Sequence, residues 1–153
     1  MIIQAETSEQ IEEARLLFRE YEAWLGVDLC FQSFEEELKN LPGEYAQPSG
    51  RLFLALSIEK VAGCIALRKL GDTTCEIKRL FVRPDFRGLR LGQMLIEKAL
   101  AEAKAIGYLR VRLDTLPDKM PKAVELYQSY GFREIPPYYE NPHKETLFME
   151  KEL

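Results

Sequence analysis

A chain of 153 residues, 46% hydrophobic and 30% charged, can close one proper core but not two, so a single domain over residues 1–153 is expected. The formal net charge of -4 disfavours nonspecific nucleic-acid binding, which draws its strength from clustered lysines and arginines. No apolar run approaches the ~20 residues of a membrane-spanning helix, and the first residues lack the basic start and apolar stretch of a signal peptide, which points to the cytoplasm and away from membranes.

Ile2 and Ile3 predict a short first strand. Thr7 and Gln10 can form a capping box, and the helix they open carries Ile11, Ala14, Phe18, Tyr21 and Leu25 at steps of three and four before Gly26 ends it. A second capping box, Ser33 with Glu36, opens a shorter helix with Phe34, Leu38 and Leu41 on one side. Pro42-Gly43 stops it, and residues 44–50 read as a loop. From Arg51 the period drops to two: Leu52, Leu54, Leu56 and Ile58 share one face. After a Glu59-Lys60 connection, Val61, Gly63, Ile65 and Leu67 share another, which predicts an antiparallel hairpin. Gly71-Asp72-Thr73 turns the chain into a third strand, Cys75 to Val82, which Pro84 stops.

Arg87-Gly88-Leu89-Arg90-Leu91-Gly92 then leads into a helix whose apolar stripe is Leu91, Leu95, Ala99, Ala103 and Ile106, with Gly107 as its C-terminal cap. Residues 108–113 alternate again, and their arrival after a crossover helix predicts a strand parallel to the one before the turn. Pro121 begins a helix ending near Tyr130, Gly131-Phe132 leads into a short strand, and a last strand covers residues 146–151. The order predicts a mixed α/β (α+β) layer with helices covering one sheet of seven strands.

The strand, basic glycine turn and helix start form an anion site in outline. Gly88 and Gly92 permit positive φ, backbone N–H groups converge with the positive end of the helix dipole, and Arg87 and Arg90 add charge. The same features also suit an ordinary strand-to-helix junction. A dinucleotide turn is disfavoured because G-x-G-x-x-G is absent, and a Walker A loop is excluded because G-x-x-x-x-G-K-[ST] is absent.

At this stretch the sequence resembles the GNAT superfamily of acetyl-CoA-dependent N-acetyltransferases, whose acyl-coenzyme A site carries R/Q-x-x-G-x-G/A between its fourth strand and third helix. Arg87 to Gly92 occupies that place, with Arg90 where the family usually has its middle glycine. Leu80-Phe81-Val82-Arg83-Pro84 resembles the family's strand end, and Leu126-Tyr127-Gln128-Ser129-Tyr130-Gly131-Phe132 is similar to its L-Y-x-x-x-G-F segment. The resemblance implies a mostly antiparallel sheet with helices on both faces and a splay between the fourth and fifth strands. It places the pyrophosphate on the amides of Gly88, Leu89, Arg90, Leu91, Gly92 and Gln93, with Arg87 supplying further charge. The pantetheine arm would run as a pseudo-strand beside Leu80, Phe81 and Val82.

Acyl transfer to an amine requires a neutral nucleophile, and a lysine-like amine with a pKa of ~10.4 is unprotonated about one part in a thousand at neutral pH. Glu76 is the candidate base, since its strand position resembles one where many family members place a glutamate; the plainer reading is a strand residue paired with Lys78 or Arg68. Tyr127 matches the tyrosine that in the family protonates the departing thiolate, against the alternative of a core aromatic beside Ala123 and Tyr130. Met120 stands where many members have an asparagine seven residues before that tyrosine.

Other candidates carry less. His143 is the single histidine and has no identifiable partner in the sequence. Cys30, Cys64 and Cys75 are odd in number and widely spaced, which suits neither a disulfide framework nor a zinc site, so reduced thiols and no metal are expected. Tyr138-Tyr139-Glu140, framed by prolines, reads as a substrate-side wall or an ordered loop. Glu22, Asp28, Glu35 and Glu36 would suit a cationic acceptor, though helices also expose carboxylates for solubility. The expected activity is acetyl transfer from acetyl-CoA to a primary amine by direct attack in a ternary complex. A noncatalytic acyl-CoA binding module on the same fold is the competing reading, and a nucleotide-binding α/β protein a more distant one. An exposed edge strand offers a homodimer contact or is capped within the chain.

Overall fold

The computed structural model of the chain describes residues 1–29 and 33–153, and Cys30 lies outside them. Seven strands among these residues pair into one sheet: Ile2–Gln4 (β1), Arg51–Ser57 (β2), Lys60–Lys69 (β3), Thr74–Val82 (β4), Arg110–Thr115 (β5), Arg133–Ile135 (β6) and Leu147–Glu152 (β7). Their order across the sheet is β1-β2-β3-β4-β5-β7-β6, and every neighbouring pair is antiparallel except β4 with β5. The helices are Ser8–Leu25 (α1), Phe34–Asn40 (α2), Leu91–Ile106 (α3) and Pro121–Ser129 (α4). The expected α/β layer with a seven-stranded, mostly antiparallel sheet is the observed one.

Two cores, one on each face of the sheet, explain why the central strands read as nearly continuous apolar runs. Leu52, Leu54, Cys64, Ala66 and Phe81 pack with Phe18 of α1 and Phe34 of α2. Phe53, Ala55, Ile65, Leu67, Ile77 and Leu80 pack with Leu95, Ile96 and Ala99 of α3 and with Tyr127 of α4. Burying each such side chain contributes ~1.5–3 kcal/mol. No helix among the described residues is long and apolar enough to cross a membrane.

Local signals and tertiary forces divide the remaining features. The Thr7–Gln10 capping box forms in both directions, and Gly26 closes α1 in the left-handed region at φ 71°. The Ser33–Glu36 box does not form: Ser33 sits at φ 56°, away from the extended conformation a capping side chain needs, and makes no side-chain cap bond. Instead α2 is held by burial of Phe34 and Leu38 and by Glu37 bonding Arg79. The expected 44–50 loop is preceded and entered by a 3-10 turn, Gly43–Tyr45, whose buried Tyr45 packs edge-on against Phe18 at 6.2 Å. Ile58 does not join the buried face of β2. It shares the hairpin tip with Glu59, both at positive φ as tight hairpin turns require, and is 92% exposed.

Two irregularities of β4 shape everything that follows. Pairing with β5 is confined to Thr74–Arg110, Cys75–Val111 and Glu76–Arg112, so β4 continues to Val82 without a neighbour on that side. Across from it, Cys64 pairs with Phe81 and Ala66 with Lys78, so Ile65 alone spans the register that Arg79 and Leu80 fill together. This is a bulge, with Arg79 at φ 62°. It breaks the alternation and turns Arg79 toward α2, where its guanidinium meets Glu37 at 2.8 and 2.9 Å and lies 5.1 Å over the Phe34 ring.

Candidate active site

A cleft of about 640 Å³ opens beside the unpaired end of β4. Leu80, Phe81 and Val82 form its strand side, and Arg87, Gly88, Arg90, Leu91, Gly92 and Gln93 its turn side; of the turn residues expected there, Leu89 points elsewhere and is exposed. The first backbone bond of α3 runs from the Met94 N–H to the Arg90 carbonyl, 3.1 Å, leaving Leu91, Gly92 and Gln93 as the unpaired donors of a helix start. Gly88 takes a positive φ of 89°. Gly92 does not: it lies inside the helix, where its missing side chain leaves the amide surface open rather than enabling a turn. The left-handed position belongs to Arg90, at φ 62°. The residue that departs from the family pattern therefore preserves the backbone shape a glycine would give, at about 1–2 kcal/mol of conformational cost.

The opposite wall comes from α4, where Met120 was expected beside the cofactor arm, and from α1, which sequence reasoning did not assign to this cleft. Lys119, Met120, Lys122, Ala123 and Leu126 face it from the start of α4, and Trp24 from the end of α1. Met120 is thus an apolar contact where an amide would be polar. Arg87 lies 4.6 Å over the Trp24 ring and 5.9 Å from the Phe81 ring, while its Nε donates to the Val82 carbonyl at 3.0 Å. Lysines and arginines in the lining, unpaired amides at the helix start and an apolar strand side fit a ligand with phosphates and a thin, less polar arm.

A second cavity of about 510 Å³ lies farther back along β4, between α2, the Gly43–Tyr45 turn and the β6–β7 loop. Glu76 and Lys78 face it from the strand, with Arg68, Glu36, Glu37, Glu44, Tyr138 and Tyr139 around them. Glu76 is 1% exposed and fully engaged: Arg68 Nε donates to Oε1 at 2.8 Å, the Tyr138 hydroxyl to Oε2 at 2.6 Å, and Lys78 Nζ stands 3.9 Å away. Burial alone would raise its pKa, but the charges of Lys78 and Arg68 and the Tyr138 bond outweigh it and hold the carboxyl below its ordinary range. The expected base is thus a buried carboxylate with a hydrogen bond to each oxygen. Arg68 also bonds Glu44 at 2.7 Å, tying the 3-10 turn to β3.

Tyr138 and Tyr139 pack edge-on against each other and against Phe148, and the Tyr139 hydroxyl donates to Asp114 of β5. Tyr138 and Tyr139, read as a substrate-side wall or an ordered loop, therefore line this cavity and are fastened to both strands of the splay. Tyr127 is 4% exposed on α4, its ring 5.7 Å from Phe132, and does not line either cavity. Burial, with Tyr21 and Asp114 nearby, pushes its hydroxyl well above the ordinary range. Of the weaker candidates, Cys64 and Cys75 are buried thiols whose pKa values burial raises, Cys75 to about 12, which removes them as nucleophiles. His143 borders a small third pocket, with Glu145 at 3.9 Å from Nδ1. Glu22 bonds the Leu29 amide and Glu35 pairs with Arg19, so of those helix acids Glu36 reaches the second cavity. No cluster of candidate metal ligands occurs among the described residues.

Residues 12–132 match the acetyltransferase (GNAT) family. An uncharacterized N-acetyltransferase of Schizosaccharomyces pombe is 37% identical over 147 residues, covering 95% of this chain and 90% of its own length. An acetyltransferase crystal structure from Streptococcus agalactiae superposes with a TM-score of 0.81 at 28% identity, covering 100% of this chain and 98% of that one. A GNAT family acetyltransferase from Elizabethkingia anophelis, solved with acetyl-CoA bound, superposes with a TM-score of 0.58 at 26% identity over 69% of this chain and 77% of that one. Motif order, splayed strands and relatives agree, and the chain belongs to the GNAT family as an N-acetyltransferase.

Proposed function

We propose that the protein, acting as a single domain, transfers an acetyl group from acetyl-CoA to a primary amine by direct attack in a ternary complex. The observation that carries this is that one strand lines both cavities: Glu76 and Lys78 face the second, and Leu80 to Val82 face the first. Acetyl-CoA supplies an activated acyl carbon and a thiolate leaving group. The unpaired amides from Leu91 to Gln93, with Arg87 and Arg90, would hold its pyrophosphate, and the free edge of β4 near Phe81 and Val82 its arm. A strand N–H near those residues would polarise the carbonyl. Tyr127, which the family resemblance assigns to the leaving sulfur and whose surroundings keep it protonated, would give its proton there once α4 lets its hydroxyl reach the cleft from the core beneath Ala123 and Leu126. Glu76 anchors the acceptor cavity by fixing Arg68, Tyr138 and Lys78 around it. The carboxylates Glu36, Glu37 and Glu44 favour a cationic acceptor at the rim.

The test begins with thermal stabilisation by acetyl-CoA, which should exceed that by ATP or NAD; no stabilisation would overturn the reading. A panel of primary amines, followed by thiol release, then identifies acceptors. Tyr127→Phe should keep acetyl-CoA affinity and lose about 10²-fold or more in turnover. Full stabilisation with no turnover on any amine would favour an acyl-CoA binding module instead.

A further inference from the structure

We infer that Lys78 is the group that takes the proton from the acceptor's ammonium, an assignment that rests on the acetyl-transfer reading above. The β4 bulge makes this possible. Lys78 precedes it and faces the acceptor cavity from the stretch of β4 that no longer pairs with β5. Two residues farther on, Leu80 already lines the cofactor cleft, so Lys78 stands between the anchor at Glu76 and the place where the thioester belongs.

The surroundings suit a lysine that works as a neutral amine. Its side chain is 9% exposed. On its own strand it faces Glu76 at 3.9 Å and Arg79; from β3 comes Arg68, and from β5 Asp114. From α2, the 3-10 turn and the β6–β7 loop, Glu36, Glu37, Glu44, Tyr138 and Tyr139 share its cavity. Burial first, and Arg79 second, lower the lysine's pKa, and Glu76 and Asp114 only partly restore it. Both carboxylate oxygens of Glu76, the alternative, already accept hydrogen bonds, from Arg68 Nε and from the Tyr138 hydroxyl.

The proton balance closes. The acceptor ammonium gives one proton to neutral Lys78 Nζ, and the freed nitrogen lone pair bonds the thioester carbonyl carbon. The C–S bond breaks, the sulfur leaves as thiolate, and the proton released from the new amide nitrogen ends on that sulfur, with Tyr127 as the relay. Lys78 returns its proton to solvent.

The experiment uses the full chain, acetyl-CoA and two small probes: ethylamine, protonated at neutral pH, and hydroxylamine, largely neutral there, each corrected for uncatalysed thiol release. Lys78→Arg replaces the base with a permanent cation. It should lose about 10²-fold with ethylamine, hydroxylamine should rescue most of that loss, and acetyl-CoA should still stabilise the variant. Ethylamine turnover kept in Lys78→Arg, or both probes lost equally, overturns the assignment. In parallel, lysine ε-carbon resonances are titrated in ¹³C-lysine-labelled protein, with Lys78→Arg identifying the signal. A Lys78 midpoint at least about one pH unit below the other lysines supports the proposal, and an ordinary midpoint overturns it even if neither probe is acetylated. Absence of acetyl-CoA stabilisation would instead overturn the underlying reading, independently of that midpoint.

Discussion

Glu76 shows how a residue's chemistry is set by what surrounds it rather than by its place in a motif. A glutamate on this strand looks like a base from sequence, and the structure surrounds it with Arg68, Lys78 and Tyr138, contacts that also tie β4 to its neighbours. Glu76→Gln should therefore act on stability, by about 3–5 kcal/mol, because it leaves buried cations uncompensated. The pH dependence follows from the sign of its shift. A carboxyl held below its unfolded value stabilises the fold above that value, and the contribution is lost as pH falls through the depressed one. Urea unfolding midpoints of parent and variant should differ widely near neutral pH, and the gap should narrow as pH falls below the ordinary carboxylate range. A constant gap across that range would mean that the charge on Glu76 does not matter. Arg90 makes the converse point: an arginine can hold a left-handed turn that sequence assigns to glycine, and nothing in the hexapeptide alone reveals it.

Among the elements, β3 and β4 show where sequence is sufficient and where it is not. Gly63 faces Val82 across the ladder, and a methyl group there would meet the Phe81 carbonyl oxygen at 2.6 Å, a backbone atom that cannot swing aside. Gly63→Ala should cost about 1–3 kcal/mol and weaken acetyl-CoA binding by pushing β4 toward the cleft; unchanged melting and titration would show that the pair yields freely. The hairpin itself was legible because alternation and turn residues are local. So was α1, whose capping box is a contact between Thr7 and Gln10 three residues apart. The failure at Ser33 has the opposite cause: α2 is placed by Phe34, Leu38 and the Glu37–Arg79 pair, forces from outside its own sequence. The bulge was illegible because Arg79 is neither glycine nor proline, yet it decides which way Lys78 and Arg79 face.

At the scale of the molecule, the cleft proposed for the cofactor could be read in the sequence because one continuous strand, turn and helix start makes most of it. The second cavity could not, since Glu37, Glu44, Arg68, Glu76 and Tyr138 meet only when α2, the 3-10 turn, β3, β4 and the β6–β7 loop are packed. Trp24 is the same kind of residue: α1 brings it to the cofactor cleft from far upstream. It is the only tryptophan in the chain, and the Arg87 guanidinium lies over it while Arg87 Nε holds the Val82 carbonyl. An arm that pairs with the end of β4 competes for that carbonyl, and phosphate competes for the guanidinium. Both pulls draw Arg87 off the indole. Titration with acetyl-CoA should therefore change Trp24 fluorescence saturably, and Arg87→Met should remove most of the change. At a ligand concentration one hundred times Kd, binding should stabilise the fold by about 2.7 kcal/mol. Stabilisation of that size with unaltered fluorescence would mean that Arg87 stays on Trp24 and that the arm takes another path along β4.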